Sequence, residues 1–235
     1  MQELKYTKKG LATMRAWTLE RKIQVTQPRL IEWKARFNEK IYISFSGGKD
    51  STVLADLTAR IYAVDRKMNG DADPLTLVFV NTGLEYPEIQ RFIKEYAEWL
   101  RTTYEIPVDL EVITPEMSFP EVLTVYGYPV ISKEVAKVIY YARRGSEWAL
   151  KRLDGLDKNG KKSEYKQRYK KYKFMLEAPF ETSQLCCDVM KKAPAHKYEA
   201  ETGRKTVIAT MTEESAQRQS GWLKTGVTLS TRNVR

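Results

Sequence analysis

With 235 residues and 42% hydrophobic content, the chain is long enough for one ordinary domain with a real core. No stretch approaches the ~18 unbroken apolar residues of a membrane helix. A net charge of +10 favours anionic partners, nucleotide or nucleic acid, without choosing between them.

The two cysteines are neighbours, Cys186 and Cys187, which excludes a disulfide framework of the secreted kind. The N-terminus has no apolar core of the signal-peptide type. The expectation is a cytoplasmic protein with no membrane partner.

Residues 1–38 read as a helical segment packed on the main domain. Pro28 is placed at a helix start, and Leu30, Ile31, Trp33, Lys34 and Phe37 give one apolar side. Ile41 to Phe45 reads as a buried strand. Asp50 to about Val64 reads as a helix with Val53, Leu57, Ile61 and Val64 as its stripe. After a break at Asp71–Pro74, Leu75–Val80 is a second strand, closed by Asn81-Thr82-Gly83. Ile89, Phe92, Ile93, Tyr96, Ala97 and Leu100 trace a helical face, and Val108, Leu110 and Val112 alternate as in a third strand.

Val135, Val138, Ile139 and Ala142 predict a further helix. Lys205–Thr210 predicts a fourth strand, preceded by a helix that Gly203 ends. Strands alternating with helices predict an α/β fold: an open, mainly parallel, twisted sheet with helices on both faces. The domain is expected over residues 39–235. Residues 151–173 interrupt the pattern as a basic insertion, expected to be partly helical and mobile. Basic residues there far outnumber acidic ones, with Tyr165, Tyr169 and Tyr172 interleaved. The segment reads either as a solvated helical face or as a phosphate-backbone surface with tyrosines for stacking.

The stretch "FSGGKDS" joins the first strand to its helix. Ligands of an open parallel sheet sit at the carboxyl ends of strands. Adjacent glycines let a ligand approach the main chain closely, and a helix N-terminus offers unpaired N–H groups and a positive dipole end. Together they predict an anion cradle. Ser46 and Ser51 add hydroxyls and Lys49 adds charge. The pattern is neither G-x-x-x-x-G-K-[ST] nor G-x-G-x-x-G.

"SGGKDS" between a strand and a helix resembles the PP-loop of the adenine nucleotide α-hydrolase-like superfamily, a Rossmann-type fold. "VFVNTGLEYPEIQRFI", "GYPVISKEVAK", "CCDVMKKAPAHKYEAETGR" and "TMTEESAQRQSGWLKTG" resemble the phosphoadenosine phosphosulfate (PAPS) reductase family, in its phage and bacterial branch. The resemblance implies that Ser46, Gly47, Gly48, Lys49, Asp50 and Ser51 line a phosphate site. It puts Asn81, Thr82 and Gly83 beside the ribose or adenine, with Asn81 standing where the family often has aspartate. Ser132 and Lys133 would face the nucleotide's anionic end. Glu214, Ser215 and Arg218 keep part of a G-x-R-x-x-E-S-x-x-R pattern, whose glycine and first arginine have become Ala209 and Met211. Lys49, Asp50 and Arg218 are the catalytic candidates.

The implied ligand is an adenine nucleotide: PAPS, adenosine phosphosulfate (APS) or ATP, the last with Mg²⁺ held in part by Asp50. Reductases of this family resemble one another in a C-terminal cysteine nucleophile. This sequence has no cysteine after Cys187, and "VTLSTRNVR" no longer resembles the family. Cys186 and Cys187 resemble half of a four-thiolate iron–sulfur set, so no complete cluster is expected; they also read as small core thiols. His196, the only histidine, reads as structural.

Three functions stay open: a sulfonucleotide reductase-like nucleotide binder, an ATP pyrophosphatase or adenylyl-transfer enzyme, and a nucleic-acid-associated sulfur-modification module. The expected partners are the small-molecule nucleotide, a thioredoxin-like reductant, nucleic acid through 151–173, and a second copy in a homodimer.

Overall fold

β-Branched and aromatic residues build the centre of the sheet, as their packing on a pleated surface dictates. In the computed structural model, which describes residues 6–70 and 73–226, the strands are β1 (Ile41–Ser44), β2 (Leu75–Val80), β3 (Val108–Ile113) and β4 (Lys205–Val207). They form one sheet in the order β3-β2-β1-β4. β1 runs parallel to both neighbours, with Ile43 opposite Leu77 on one side and Val207 on the other. Residues 1–5, Asp71 and Ala72 of the expected break, and the closing stretch 227–235 lie outside the described residues.

The chain divides into two compact units. The first takes residues up to Phe79, Tyr86–Val112 and residues from Tyr198 onward; the second takes Val80–Glu85 and Ile113–Lys197.

The first unit holds α1 (Lys8–Arg15), α2 (Leu19–Arg36), α3 (Lys49–Asn69) and α4 (Pro87–Tyr104). Ile43 and Phe45 pack with Ala55, Ala59 and Tyr62 of α3 and with Ile93, Ala97 and Leu100 of α4. Tyr42 points to the opposite face, its ring 5.3 Å from that of Tyr198. Tyr198 lies on α9 (Ala193–Thr202), so helices cover both faces of the sheet. Burial pushes the Tyr42 hydroxyl above its ordinary value, and that hydroxyl donates to Glu199.

Two expectations change here. Pro28 lies inside α2 rather than at its start; Thr18 caps that helix by accepting from the Arg21 amide. An internal proline costs about 3 kcal/mol. Burial of Leu30 and Trp33, worth about 2 kcal/mol each, is of that size, and Leu30 packs on Leu57 and Ile61 of α3. The expected α3 stripe is also only half buried: Val53 and Val64 are 58% and 55% exposed. Helix α3 is wedged between the sheet and α2, so it buries two faces rather than one.

The second unit holds α5 (Phe119–Tyr126), α6 (Lys133–Arg143), α7 (Glu147–Leu153), the short α8 (Glu164–Gln167), a 3₁₀ helix over Lys170–Glu177, a π-helical turn over Asp188–Lys192 and the start of α9. Val135, Val138, Ile139 and Ala142 of α6 are buried as predicted, and Leu153, Tyr169 and Met175 complete the same core. The basic segment 151–173 is partly helical, as expected, and supplies Leu153 and Tyr169 to the core of its unit. α10 (Ala216–Thr225) ends the described chain and belongs to the first unit.

Candidate functional site

Strand order sets the geometry of the loop after β1. The chain moves outward through β2 and β3 on one side of β1, and β4 lies on the other. The ends of β1 and β4 thus flank a topological switch point, where open α/β sheets bind ligands. Ser46–Ser51 follows β1, and Ile208–Arg218 follows β4.

The two glycines of the loop do different work. Gly47 sits at φ 72°, and a Cβ there would lie 3.1 Å from Ile93 Cγ2 and 3.2 Å from Ile89 Cγ2. Conformation and α4 packing both exclude a side chain. Gly48 has an ordinary φ of −80°, and a Cβ there would meet only Ser46 Oγ, at 3.4 Å. Nothing within the fold requires glycine at 48. Its missing side chain leaves open space over the start of α3.

The serines hold the loop closed. Ser51, 4% exposed, donates to the Gly48 carbonyl at 2.8 Å, and its hydroxyl accepts from the Ser46 amide at 3.3 Å. Ser46 Oγ accepts from the Gly48 amide at 3.4 Å and lies 3.2 Å from Ser51 Oγ. Thr52 returns both its amide and its hydroxyl to Gly48 O, each at 3.0 Å. The first-turn amides of Lys49, Asp50 and Ser51 precede that first helical bond and have no intrahelical acceptor. The side chains of Lys49, exposed, and Asp50, half-buried, make no hydrogen bond or ion pair among the described residues. Free amides, a helix N-terminus and an unpaired ammonium can take the oxygens of a phosphate chain. Asp50 can share a hard cation with such oxygens; no group of three or more His, Cys, Asp or Glu side chains fit to hold a metal occurs among the described residues.

After β4 the charges cancel one another. Ser215 caps α10 by accepting from the Arg218 amide at 3.1 Å. Arg218 pairs with Glu214, whose carboxylate also accepts from the Met211 amide at 2.9 Å. The N-terminal segment positions this stretch. Arg15 pairs with Glu213 at 2.8 Å and donates to Thr212 at 3.1 Å, while the Tyr6 amide donates to Leu223 O at 3.0 Å.

The remaining predicted residues belong to the second unit. Asn81 Oδ1 accepts from the Gly83 amide at 3.0 Å. Thr82 is buried and gives its amide and hydroxyl to Glu85 at 2.8 and 2.7 Å. Burial raises the Glu85 carboxyl, and those Thr82 hydrogen bonds outweigh it, leaving the group below its ordinary value. Sequence reasoning missed Glu85, although its spacing from Thr82 is that of a local side-chain-to-backbone bond.

Ser132 caps α6 by accepting from the Val135 amide at 3.2 Å. Lys133 donates to Cys187 Sγ at 2.7 Å, and that contact is the main reason its ammonium is held above the ordinary lysine value. Fifty-four positions separate the two residues, so no local pattern could have announced the pair. Cys186 and Cys187 are half-buried rather than core residues, and burial pushes the Cys186 thiol up. Two adjacent thiols, one against an ammonium, do not supply the four thiolates of an iron–sulfur cluster.

No helix among the described residues is long and apolar enough to cross a membrane. No curated protein matches the chain. Residues 40–143 match the family model described as the phosphoadenosine phosphosulfate reductase domain, a span that takes in Ser46–Ser51, Asn81–Gly83, Ser132 and Lys133. That model describes the family that the chain's motifs resemble.

Proposed function

We propose that the chain binds an adenine nucleotide whose phosphates rest on Ser46–Ser51, with a sulfonucleotide, PAPS or APS, as the preferred ligand. One observation carries the reading: Gly48 lacks a side chain that the fold itself would tolerate, beside unbonded helix-start amides at a sheet switch point. A close approach of ligand to main chain explains that glycine. The family match supports adenine sulfonucleotides as the class. Lys49 would supply charge to the phosphates. Glu214, Ser215 and Arg218, which follow β4 in the same unit, would be further contacts, each open to single substitution.

A second reading is adenylyl transfer from ATP, with Mg²⁺ shared between Asp50 and the phosphates. Ala209 and Met211 favour it, because they stand where the family pattern has a glycine and an arginine. Such a reaction needs no thiolate nucleophile, whereas sulfonucleotide reduction does. A thioredoxin-like reductant belongs only to the first reading.

Thermal stabilisation by APS, PAPS and ATP·Mg²⁺, side by side, separates the two. A ligand at ~100 times its dissociation constant adds ~2.7 kcal/mol. A sulfonucleotide preference supports the first reading. A preference for ATP·Mg²⁺ with release of pyrophosphate supports the second.

A further inference from the structure

The basic segment is anchored on one side and bare on the other. Tyr169 is buried in the core with Leu153. Its hydroxyl accepts from Arg168 at 3.1 Å, and burial pushes that hydroxyl up to about 12. Gly155 ties the two halves of the segment together. Its carbonyl accepts from the Ser163 amide at 3.0 Å and the Gln167 side chain at 3.1 Å. A Cβ on Gly155 would lie 2.9 Å from Lys170 Cε. Lys173 reaches back to Asp154 at 2.7 Å. Between these halves a tight turn, with Asp157 accepting from the amides of Asn159 and Lys161 at 2.9 Å, presents Lys158, Lys161 and Lys162 to solvent.

Ion pairs account for only some of the cations. Lys151 pairs with Glu147, Arg152 and Arg168 with Glu134, and Lys173 with Asp154. Lys158, Lys161, Lys162, Lys170 and Lys171 are exposed and pair with no carboxylate among the described residues. Lys171 lies 5.0 Å over the Tyr172 ring. Phe174, 67% exposed, lies in the same 3₁₀ helix as Lys170 and Lys171. A cavity of about 230 Å³ opens beside Lys171 and Tyr172, lined also by Arg168 and by Glu134, the carboxylate to which Arg168 is paired. A solvated face needs no cluster of unpaired ammonium groups together with an exposed phenylalanine. A strand of phosphates with unstacked bases uses both: ammonium groups along the backbone and an aromatic face for a base.

We propose that residues 158–174 of the second unit bind single-stranded nucleic acid, the lysines tracking phosphates and Phe174 stacking a base. The proposal is independent of which nucleotide the loop after β1 takes. The test uses the full chain and a labelled oligonucleotide of about 20 nucleotides, longer than the ~4–16 nucleotides that a small single-strand site covers. With about five phosphates neutralised, the slope of log affinity on log salt is about −3.5, so affinity falls about 100-fold between about 50 and 200 mM salt.

Combined Lys158→Gln, Lys161→Gln, Lys162→Gln, Lys170→Gln and Lys171→Gln should abolish both binding and slope. A charge-matched control, Lys9→Gln, Lys22→Gln, Lys67→Gln, Lys94→Gln and Lys224→Gln, should keep both. Phe174→Ala should weaken binding about 10-fold and leave the slope unchanged. Equal losses in the two lysine variants would overturn the proposal by making the effect one of net charge. Equal or tighter binding of a duplex, or binding only to phosphatidylserine vesicles, would overturn the assignment to a single strand.

Discussion

The turn after β1 and the stretch after β4 flank the same switch point, yet they handle polarity in opposite ways. In Ser46–Ser51 the hydroxyls are spent on the loop's own backbone, and the amides and ammonium that could meet a ligand are left unbonded. In Met211–Arg218 the charged groups are already paired, Arg218 with Glu214 and Glu213 with Arg15 of the N-terminal segment. The first arrangement could take an anion without breaking an internal bond. The second must release a cation before it can contribute one. Letters that match a family pattern in both places therefore carry different weight.

Substitutions sharpen this contrast in order of size. Gly47→Val introduces a β-branched side chain at positive φ against Ile89 and Ile93; stability should fall by about 2–4 kcal/mol, read from denaturant unfolding. Ser51→Ala removes a buried hydroxyl that bridges Ser46 and Gly48 and should cost about 1–3 kcal/mol. Gly48→Ala, one position from Gly47, should change stability by less than about 1 kcal/mol, since its φ is ordinary and its space is open. Comparable losses at Gly47 and Gly48 would erase the distinction between them. Glu214→Ala should alter stability by less than about 0.5 kcal/mol, as exposed ion pairs do. It should also free Arg218 and raise affinity for an anionic nucleotide at low salt.

The turn at Asn81–Glu85 offers a pH test. Glu85 has a folded-state value below the ordinary carboxylate value, so its contribution is present above that range and is lost as pH falls through the folded value. Melting temperatures of wild type and Glu85→Gln should differ at neutral pH and converge in acid. A constant gap across that range would show that the charge of Glu85 is not what the Thr82 hydrogen bonds stabilise.

Much of the sheet was legible because its signals are local. β2 is apolar but for Thr76, and α4 carries one clean face that lands in the core as Ile93, Ala97 and Leu100. Local signals failed where one element has two neighbours. The stripe expected on α3 left Val53 and Val64 in solvent because α2 and the sheet claim different faces of that helix. Pro28 looked like a helix start, but the packing of Leu30 on α3 carries α2 through it. At the site, the serines and glycines of the turn could be named from sequence, while the division of labour between Gly47 and Gly48 needed the packing of α4. The Lys133–Cys187 contact and the burial of Tyr169 are long-range and have no counterpart in spacing. A basic run reads as solvated until one of its tyrosines proves to be core.

The most direct test compares wild type with Gly48→Ala in thermal unfolding, each alone and with APS, PAPS or ATP·Mg²⁺. The account predicts melting temperatures within about 4 °C of each other without nucleotide, a clear upward shift of wild type with the preferred nucleotide, and little or no shift of Gly48→Ala. Equal shifts in both proteins would contradict it, because the open space over Gly48 would then have no ligand to serve.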